Sequence, residues 1–245
     1  MAAFEAVYRT ILVFDIEQSN HPMRTNHDRV VIHEAMYAAV RTALKRVKYY
    51  HEDRGDGVLV LVPSEVPKGR LVSNLLARLE AALGTHNAAM ERQNASRAAA
   101  TQVRLRVAVH AGEVTFDGHG VVGAAVDYTF RLADAAPFKS ALATSTGVCA
   151  LITSRWFFDE VVYHRPDAHP ELFRRIEAEV KGTSISAYIR VPGEILLDAQ
   201  LPGQQLIVEQ FPEVQILAQL SGPPELSAPR WLPPPLPSGR GPRWI

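Results

Sequence analysis

The chain has 245 residues and a mass of 27.0 kDa, enough for one large domain or for one domain with appendages. Hydrophobic residues make up 47% and charged residues 21%, and 26 basic side chains balance 26 acidic ones, so no global charge attracts nucleic acid or an anionic membrane. The single cysteine, Cys149, excludes a disulfide framework and a cysteine-rich zinc site, and the absence of a signal-peptide core or bilayer-spanning apolar run predicts a soluble, cytoplasmic protein.

The first predicted element is a strand over residues 7–15, whose nearly continuous apolar end indicates burial on both faces. It ends in Asp15, and a carboxylate at the end of a buried strand indicates a functional role. A polar loop and an amphipathic helix over 29–48 follow. Residues 49–62 then form two strand-like runs that meet at Gly55-Asp56-Gly57, a strong hairpin signal. This turn places the Asp56 carboxylate at a hairpin tip, free to bind a metal.

The second half of the domain mixes helices and strands. The pattern predicts a helix over 70–90, a polar stretch over 91–101, a strand over 103–110, a turn at 117–120, a helix over 123–136, a short strand over 140–145 and a hairpin formed by 177–180 and 185–191. This order predicts an α+β sandwich, a mostly antiparallel sheet covered by helices on one face.

The proposed domain boundary follows the closing hairpin. We expect one domain over residues 1–192 and a C-terminal extension over 193–245. Eight of the 17 prolines lie between residue 223 and the end, so this part is predicted to be extended or partly disordered.

Asp15 and Asp56 form the first candidate site. If their strands are neighbours, the two carboxylates converge, and Mg²⁺ or Mn²⁺ prefers such oxygens together with those of substrate phosphates. Two ions could activate an attacking hydroxyl and offset phosphate charge, with the backbone carbonyl of Ile16 as a further ligand. Taken singly, Asp15 as a loop or capping residue and Asp56 as a turn former are simpler interpretations. Taken as a pair, they favour a metal site.

Asp127 and Arg131 form the second candidate site, because residues four apart share one helix face. By themselves they predict an exposed intrahelical salt bridge. The helix, however, opens after a glycine-rich turn, where an anion is readily held. Arg131 could therefore meet the charge that develops on a phosphoryl group during transfer.

Four motifs resemble those of class III nucleotidyl cyclases, in the family's order and spacing. They are Phe14-Asp15-Ile16, Arg54-Gly55-Asp56-Gly57, the run VAVHAGE at 107–113, and Gly123-x-x-Val126-x-x-x-x-Arg131-Leu132. Each is weak alone, but four in register over roughly residues 7–191 are fairly specific. The resemblance implies a class III cyclase-like fold of the ferredoxin-like or palm type.

The resemblance also implies a mechanism. Two chains would pair head to tail as a homodimer with composite active sites, in which Asp15, Ile16 and Asp56 of one chain hold two Mg²⁺ or Mn²⁺ ions. Arg131 of the other chain would stabilise the transition state while the 3′-hydroxyl of a nucleoside triphosphate attacks its own α-phosphate. Lys181 would contact the phosphates, with a plain surface lysine as an equally weighted alternative. Asp127 departs from the family, which has an asparagine there, and this puts either its role or the activity in question.

The base-selecting positions match neither purine pattern. Glu52 stands where adenylyl cyclases have lysine, as in guanylyl cyclases, and the second position falls near Gly120. Tyr50, Glu52 and Arg54 alternate along one strand and should share a side, so we assign them to substrate binding. A bulky Tyr50 would shorten the base pocket. This resembles the pyrimidine cyclases of bacterial anti-phage (Pycsar) systems, which make cyclic UMP or cyclic CMP for an effector that does not contact the enzyme directly.

Several alternatives remain open. Tyr50 could be a core residue, and Glu52 could indicate cyclic GMP synthesis. Asp127 and the proline-rich tail are also compatible with a catalytically silent cyclase-like module that binds a nucleotide or partner. A diguanylate cyclase is disfavoured by the missing G-G-D/E-E-F signature. No zinc-site spacing is present.

Overall fold

The computed structural model describes residues 5–193. The predicted C-terminal extension therefore lies outside the described residues, apart from Gly193. The strands are β1 (Val7–Ile16), β2 (Tyr50–Asp53), β3 (Gly57–Pro63), β4 (Leu105–Phe116), β5 (Val121–Val122), β6 (Cys149–Ser154), β7 (Arg174–Val180) and β8 (Thr183–Arg190). The helices are α1 (Asn26–Ala43), α2 (Lys68–Ser73), α3 (Leu75–Gln93), α4 (Ala95–Thr101), α5 (Ala124–Asp134), α6 (Ala136–Thr144) and the short α7 (Arg155–Phe157).

The strands form one sheet in the order β2-β3-β1-β4-β6-β8-β7, with β5 paired to β4. Every pairing is antiparallel except that of β4 with β6. The prediction of an α+β fold with a mostly antiparallel sheet is therefore confirmed. β1 lies between β3 and β4 in the sheet, and its apolar residues are buried on both faces.

Helices cover both faces of the sheet, so the expectation of helices on one face was wrong. Leu12 and Phe14 of β1 belong to the core beneath α1 and α3, whereas Ile11 and Val13 belong to the core beneath α5 and α6. Residues 58–62 of β3 divide in the same way and are all fully buried. Strands that are apolar at every position leave no face for solvent, and therefore require a second layer of helices.

The order of elements between α5 and β7 also differs from the prediction. Residues 140–145 belong mainly to α6 rather than to a strand, because Pro137 lies in the first turn of that helix, where proline is favourable, and Phe138 and Leu142 pack into the core below it. The strand that joins the sheet here is β6, which begins at Cys149. Helix α1 starts earlier than predicted because Thr25 and Asp28 form a capping box at its first turn.

No helix within residues 5–193 combines the length and the apolar character needed to cross a bilayer.

Candidate active site

Asp15 and Asp56 line one cavity of about 320 Å³ at the end of β1. Asp15 pairs with Gly57 of β3, and the Ile16 N–H donates to the Asp56 carbonyl over 3.0 Å. A Cβ at Gly57 would lie 2.3 Å from the carbonyl oxygen of Phe14, so only glycine permits the hairpin tip to approach β1 this closely. The local fold thus brings two acidic positions, 41 residues apart in sequence, to one place.

Asp15 is the more enclosed of the two carboxylates. Its Oδ2 accepts a 2.7 Å hydrogen bond from Nε of Arg106 and a second bond from the same guanidinium. Burial nevertheless raises the pKa of Asp15, and the neighbouring Asp56 carboxylate raises it further, although Arg106 acts in the opposite direction. Arg106 therefore offsets only part of the cost of keeping the Asp15 carboxylate ionised. A bound cation would offset the rest.

Asp56 is exposed at the hairpin tip, and one of its oxygens has a fixed partner. Ser19 Oγ, which is nearly buried, donates to Asp56 Oδ2 over 2.9 Å. The loop after β1 therefore orients the carboxylate on the hairpin. This role of Ser19 was not predicted from the sequence.

The two carboxylates suit a divalent cation that shares its coordination with a substrate. Among residues 5–193 no cluster of three or more His, Cys, Asp or Glu side chains could hold a metal. Two carboxylates and a backbone carbonyl such as that of Ile16 would leave several positions of a Mg²⁺ or Mn²⁺ ion to water and phosphate oxygens, which is the usual pattern for these ions. The residues present therefore fit the predicted cofactor.

Tyr50, Glu52 and Arg54 do lie together. Tyr50 and Glu52 pair across β3 with residues 61 and 59, which belong to the core beneath α5, so both side chains are on that face. The Tyr50 hydroxyl donates to Glu52 Oε1 over 2.9 Å, and Arg54 donates to Glu52 Oε2 over 2.5 Å. Tyr50 is 44% exposed, so the alternative that it is a core residue is wrong.

The predicted second base position also reaches this cluster. A Cβ at Gly120 would lie 3.1 Å from Glu52 Oε1, so the β4–β5 turn passes directly beside the carboxylate. The ring of Phe116, at the end of β4, meets Tyr50 edge to face with centroids 5.2 Å apart. Phe116 was not predicted, because its contact depends on strands paired far apart in sequence.

Asp127 and Arg131 both lie on α5 but do not reach the carboxylates of their own chain. Asp127 is exposed and Arg131 half-buried, and neither residue lines the cavity of Asp15 and Asp56. The salt bridge expected from their spacing is absent from the ion pairs of the described residues. The adjacent face of α5, with Phe130 and Asp134, lines the cavity instead.

Lys181 lies in the turn between β7 and β8, with its Nζ 3.0 Å from Asp134 Oδ2. Lys139 Nζ lies 2.8 Å from the other oxygen of the same carboxylate and lines the cavity of Asp15. Asp134 thus holds two lysines at the edge of that cavity. Lys139 and Arg106 were both missed, although the alternation of Arg104 and Arg106 in the strand predicted over 103–110 was a signal for the latter.

The sequence matches no protein-family profile and no curated protein. The fold is similar to that of the guanylyl cyclase Cya2, with a TM-score of 0.52 and 16% identity over 80% of this chain and 98% of that chain. It is also similar to the adenylyl cyclase CyaB from P. aeruginosa, with a TM-score of 0.51 and 15% identity over 79% of this chain and 100% of that one. A bacterial light-regulated adenylyl cyclase has a TM-score of 0.52 and 11% identity over 81% of this chain and 56% of its own. The chain therefore has the class III cyclase fold, and a fold leaves the substrate to be argued from the site.

Proposed function

We propose that this chain is a nucleotidyl cyclase, a phosphorus–oxygen lyase that converts UTP or CTP to the 3′,5′-cyclic nucleotide and pyrophosphate. The observation that carries the proposal is the cavity shared by Asp15 and Asp56 on a cyclase fold. The raised pKa of Asp15 supports it, because a carboxylate that is buried and lies beside the Asp56 carboxylate favours a cation.

In the proposed reaction a bond forms between the 3′-oxygen and the α-phosphorus. The bond from that phosphorus to its leaving oxygen breaks, the electron pair departs with pyrophosphate, and the hydroxyl proton passes to solvent. Asp15 and Asp56 would hold two Mg²⁺ or Mn²⁺ ions, which when bound supply charge neutralisation and lower the pKa of the attacking hydroxyl. Arg106, no longer needed by Asp15, would be free to pair with phosphate oxygens through its planar fork.

The proposed enzyme is a head-to-tail homodimer. Arg131 lies outside the cavity of its own chain, and in this dimer a partner copy would supply it to the transferring phosphoryl group. Lys181 would contact phosphates by leaving Asp134, which now holds it. Asp127 is exposed, which allows its carboxylate to turn away from a triphosphate.

A complementation experiment tests the composite site. Asp56→Ala and Arg131→Ala should each be inactive alone, whereas an equal mixture should recover about a quarter of wild-type activity. Half the dimers would then be mixed, and each mixed dimer would contain one intact site. Persistent inactivity of the mixture, with heterodimers shown to form, would contradict a shared site.

The choice of a pyrimidine rests on the cluster around Glu52. Tyr50 is bulky, exposed on the α5 face and fixed by its hydroxyl to Glu52, with Phe116 against its ring. If Tyr50 shortens the base pocket, a pyrimidine ring would fit that pocket better than the larger purine ring. A cytoplasmic source of cyclic UMP or cyclic CMP would act as a signal to a separate effector, and we extend the proposal to anti-phage signalling on that basis.

One assay separates the candidate substrates. Purified protein is incubated with Mn²⁺ and each of the four ribonucleoside triphosphates, and the products are identified by mass. We expect cyclic UMP or cyclic CMP from the wild type, and Tyr50→Ala should admit purines. Cyclic GMP as the main product would favour the alternative that Glu52 accepts hydrogen bonds from guanine. The absence of any product would favour the silent module to which Asp127 points.

A further inference from the structure

A cavity of about 760 Å³ lies between α2 and the segment that follows β6, and it shares no lining residue with the cavity of Asp15. One wall is α2 with the residues that flank it, and the other is the stretch over 160–167. Lys68 locates the cavity along the sheet, because its Nζ lies 5.0 Å from the centre of the Tyr8 ring, near the start of β1. Asp15 lies at the other end of that strand, roughly 23 Å away at about 3.3 Å per residue.

The second wall begins with a π-helical turn over 158–162. The Tyr163 N–H donates to the carbonyl of Phe158 over 2.9 Å, which closes the wide turn. Phe158 and Val162 are fully buried in the core beneath α1 and α3, and Glu160, on the same turn, lines the cavity. Wide turns of this kind are frequent at functional sites.

Arg165 lies directly against α2 at Gly69. A Cβ at Gly69 would lie 2.9 Å from Cδ of Arg165 and 3.2 Å from its Nε, so only glycine permits this close approach. One end of the guanidinium is paired, since its Nη2 lies 2.7 Å from Asp167 Oδ2. Its Nε is buried and has no hydrogen-bond partner among residues 5–193. A buried donor without a partner is costly, and a bound anion would satisfy it.

The charge of the lining favours an anion. Three residues of the lining carry a positive charge at neutral pH, against two carboxylates, and these three are Lys68, Arg70 and Arg165. Asp167 already pairs with Arg165, whereas Lys68 and Arg70 form no ion pair within the described part of the chain. The cavity therefore retains positive charge that the protein does not neutralise, and such a cleft attracts anions.

We propose that this cavity binds a small phosphorylated molecule with hydroxyl groups, of which a sugar phosphate is the simplest kind. Arg165 would donate to the phosphate through its unpartnered Nε, and Lys68 and Arg70 would balance the rest of its charge. A space of this size is typical of sites for whole small molecules. Glu160 and the amide of Asn74 also line it, and both can pair with hydroxyl groups. The inference does not rest on the cyclase proposal, because no residue of the catalytic cavity takes part.

Titration with ribose 5-phosphate tests this inference. The full-length protein is titrated by isothermal calorimetry without divalent cations. We expect Arg165→Ala and Lys68→Ala to bind ribose 5-phosphate about 10- to 100-fold more weakly than the wild type. Arg92→Ala is the matched control and should bind like the wild type, since Arg92 is an exposed arginine on α3 that lines neither cavity.

Two further ligands test the two parts of the proposed molecule. Ribose without phosphate should not bind detectably, and inorganic phosphate should bind more weakly than ribose 5-phosphate. Binding of ribose as strong as that of its phosphate ester would overturn the anion site. Inorganic phosphate that binds as tightly as the ester would overturn the assignment of the hydroxyl-bearing part.

Gly69→Ala tests the position of Arg165 without changing any charge. The added methyl group would displace the Arg165 side chain from α2, so ribose 5-phosphate should bind several-fold more weakly. The melting temperature should not fall, because alanine favours a helix more than glycine does. Binding equal to that of the wild type would contradict the proposed contact with Arg165.

Arg106→Ala separates this cavity from the catalytic one, because Arg106 lies beside Asp15. Binding of ribose 5-phosphate should persist in this variant. Loss of binding in Arg106→Ala but not in Arg165→Ala would place the anion in the catalytic cavity and overturn the inference, as would the absence of binding to the wild type at millimolar concentrations. Thermal melts verify the fold, and Gly69→Ala carries the test if Arg165→Ala does not fold.

Discussion

Asp28 and Asp15 are two of the carboxylates that pair with arginine, and their surroundings differ. At the start of α1, Asp28 is 2% exposed and bonds to Arg97, while Thr25 donates both its backbone N–H and its hydroxyl over 2.7 Å. The Arg97 and Thr25 hydrogen bonds hold the pKa of Asp28 well below its usual range. At the end of β1, Asp15 has Arg106 and a neighbouring carboxylate, and its pKa is raised, chiefly by burial.

An arginine partner alone therefore does not identify a carboxylate as structural. Asp28 accepts hydrogen bonds from two residues and closes a capping box, so its ionised form is stabilised within the folded protein. Asp15 has fewer donors and faces Asp56, so its charge is not satisfied by the protein alone. We expect changes at the end of β1 to affect activity and changes at the start of α1 to affect stability.

The largest expected effect is that of Asp56→Ala. Removing one of the two carboxylates proposed to bind the metal should lower the rate of cyclic nucleotide formation by about a thousandfold or more. The melting temperature should hardly change, because Asp56 is exposed at a hairpin tip. Product formation is measured by mass spectrometry, and full activity of this variant would show that the metal assignment is wrong.

The corresponding substitutions at the start of α1 are Asp28→Ala and Arg97→Ala, which remove the two sides of one ion pair. Both should lower the melting temperature by several degrees, since they break a buried capping network. Activity per folded molecule should remain near that of the wild type at a temperature below both transitions. Lost activity without lost stability would place a catalytic function at the start of α1. It would contradict the expectation that this region affects stability only.

Stabilisation of the protein by Mn²⁺ should depend on the carboxylates at the end of β1 and not on those at the start of α1. Mn²⁺ at about 100 times its dissociation constant would add about 2.7 kcal/mol to the free energy of unfolding and raise the melting temperature by several degrees. This rise should disappear in Asp15→Asn and persist in Asp28→Ala, and a chelator should reverse it. An equal rise in both variants would locate the cation elsewhere.

The smallest expected effect is on the pH dependence of stability. The raised pKa of Asp15 means that its contribution to stability is present at low pH and is lost as pH rises through the folded-state value. The lowered pKa of Asp28 has the opposite sign, because its contribution is present at neutral pH and is lost on acidification. Urea unfolding of wild type, Asp15→Asn and Asp28→Asn between about pH 3 and pH 7 measures both trends. Parallel curves for the two variants would contradict the difference in environment.

The sequence by itself determined the local features. The Gly-Asp-Gly turn placed Asp56 at a hairpin tip, because glycine on both sides favours a tight turn and permits close approach to β1. Alternation along β2 put Tyr50 and Glu52 on one side, because side chains in a strand alternate between faces. These outcomes depend on neighbours in the chain, so a single sequence contains them.

Only the tertiary structure decided which distant groups meet. Arg106 reaches Asp15 across 91 positions, and Phe116 reaches Tyr50 across 66, because β4 and β2 join one sheet through β1 and β3. The same sheet selects residues 149–154 as a strand between β4 and β8. Contacts between segments far apart in sequence depend on register and burial in the folded sheet, and no local periodicity encodes them.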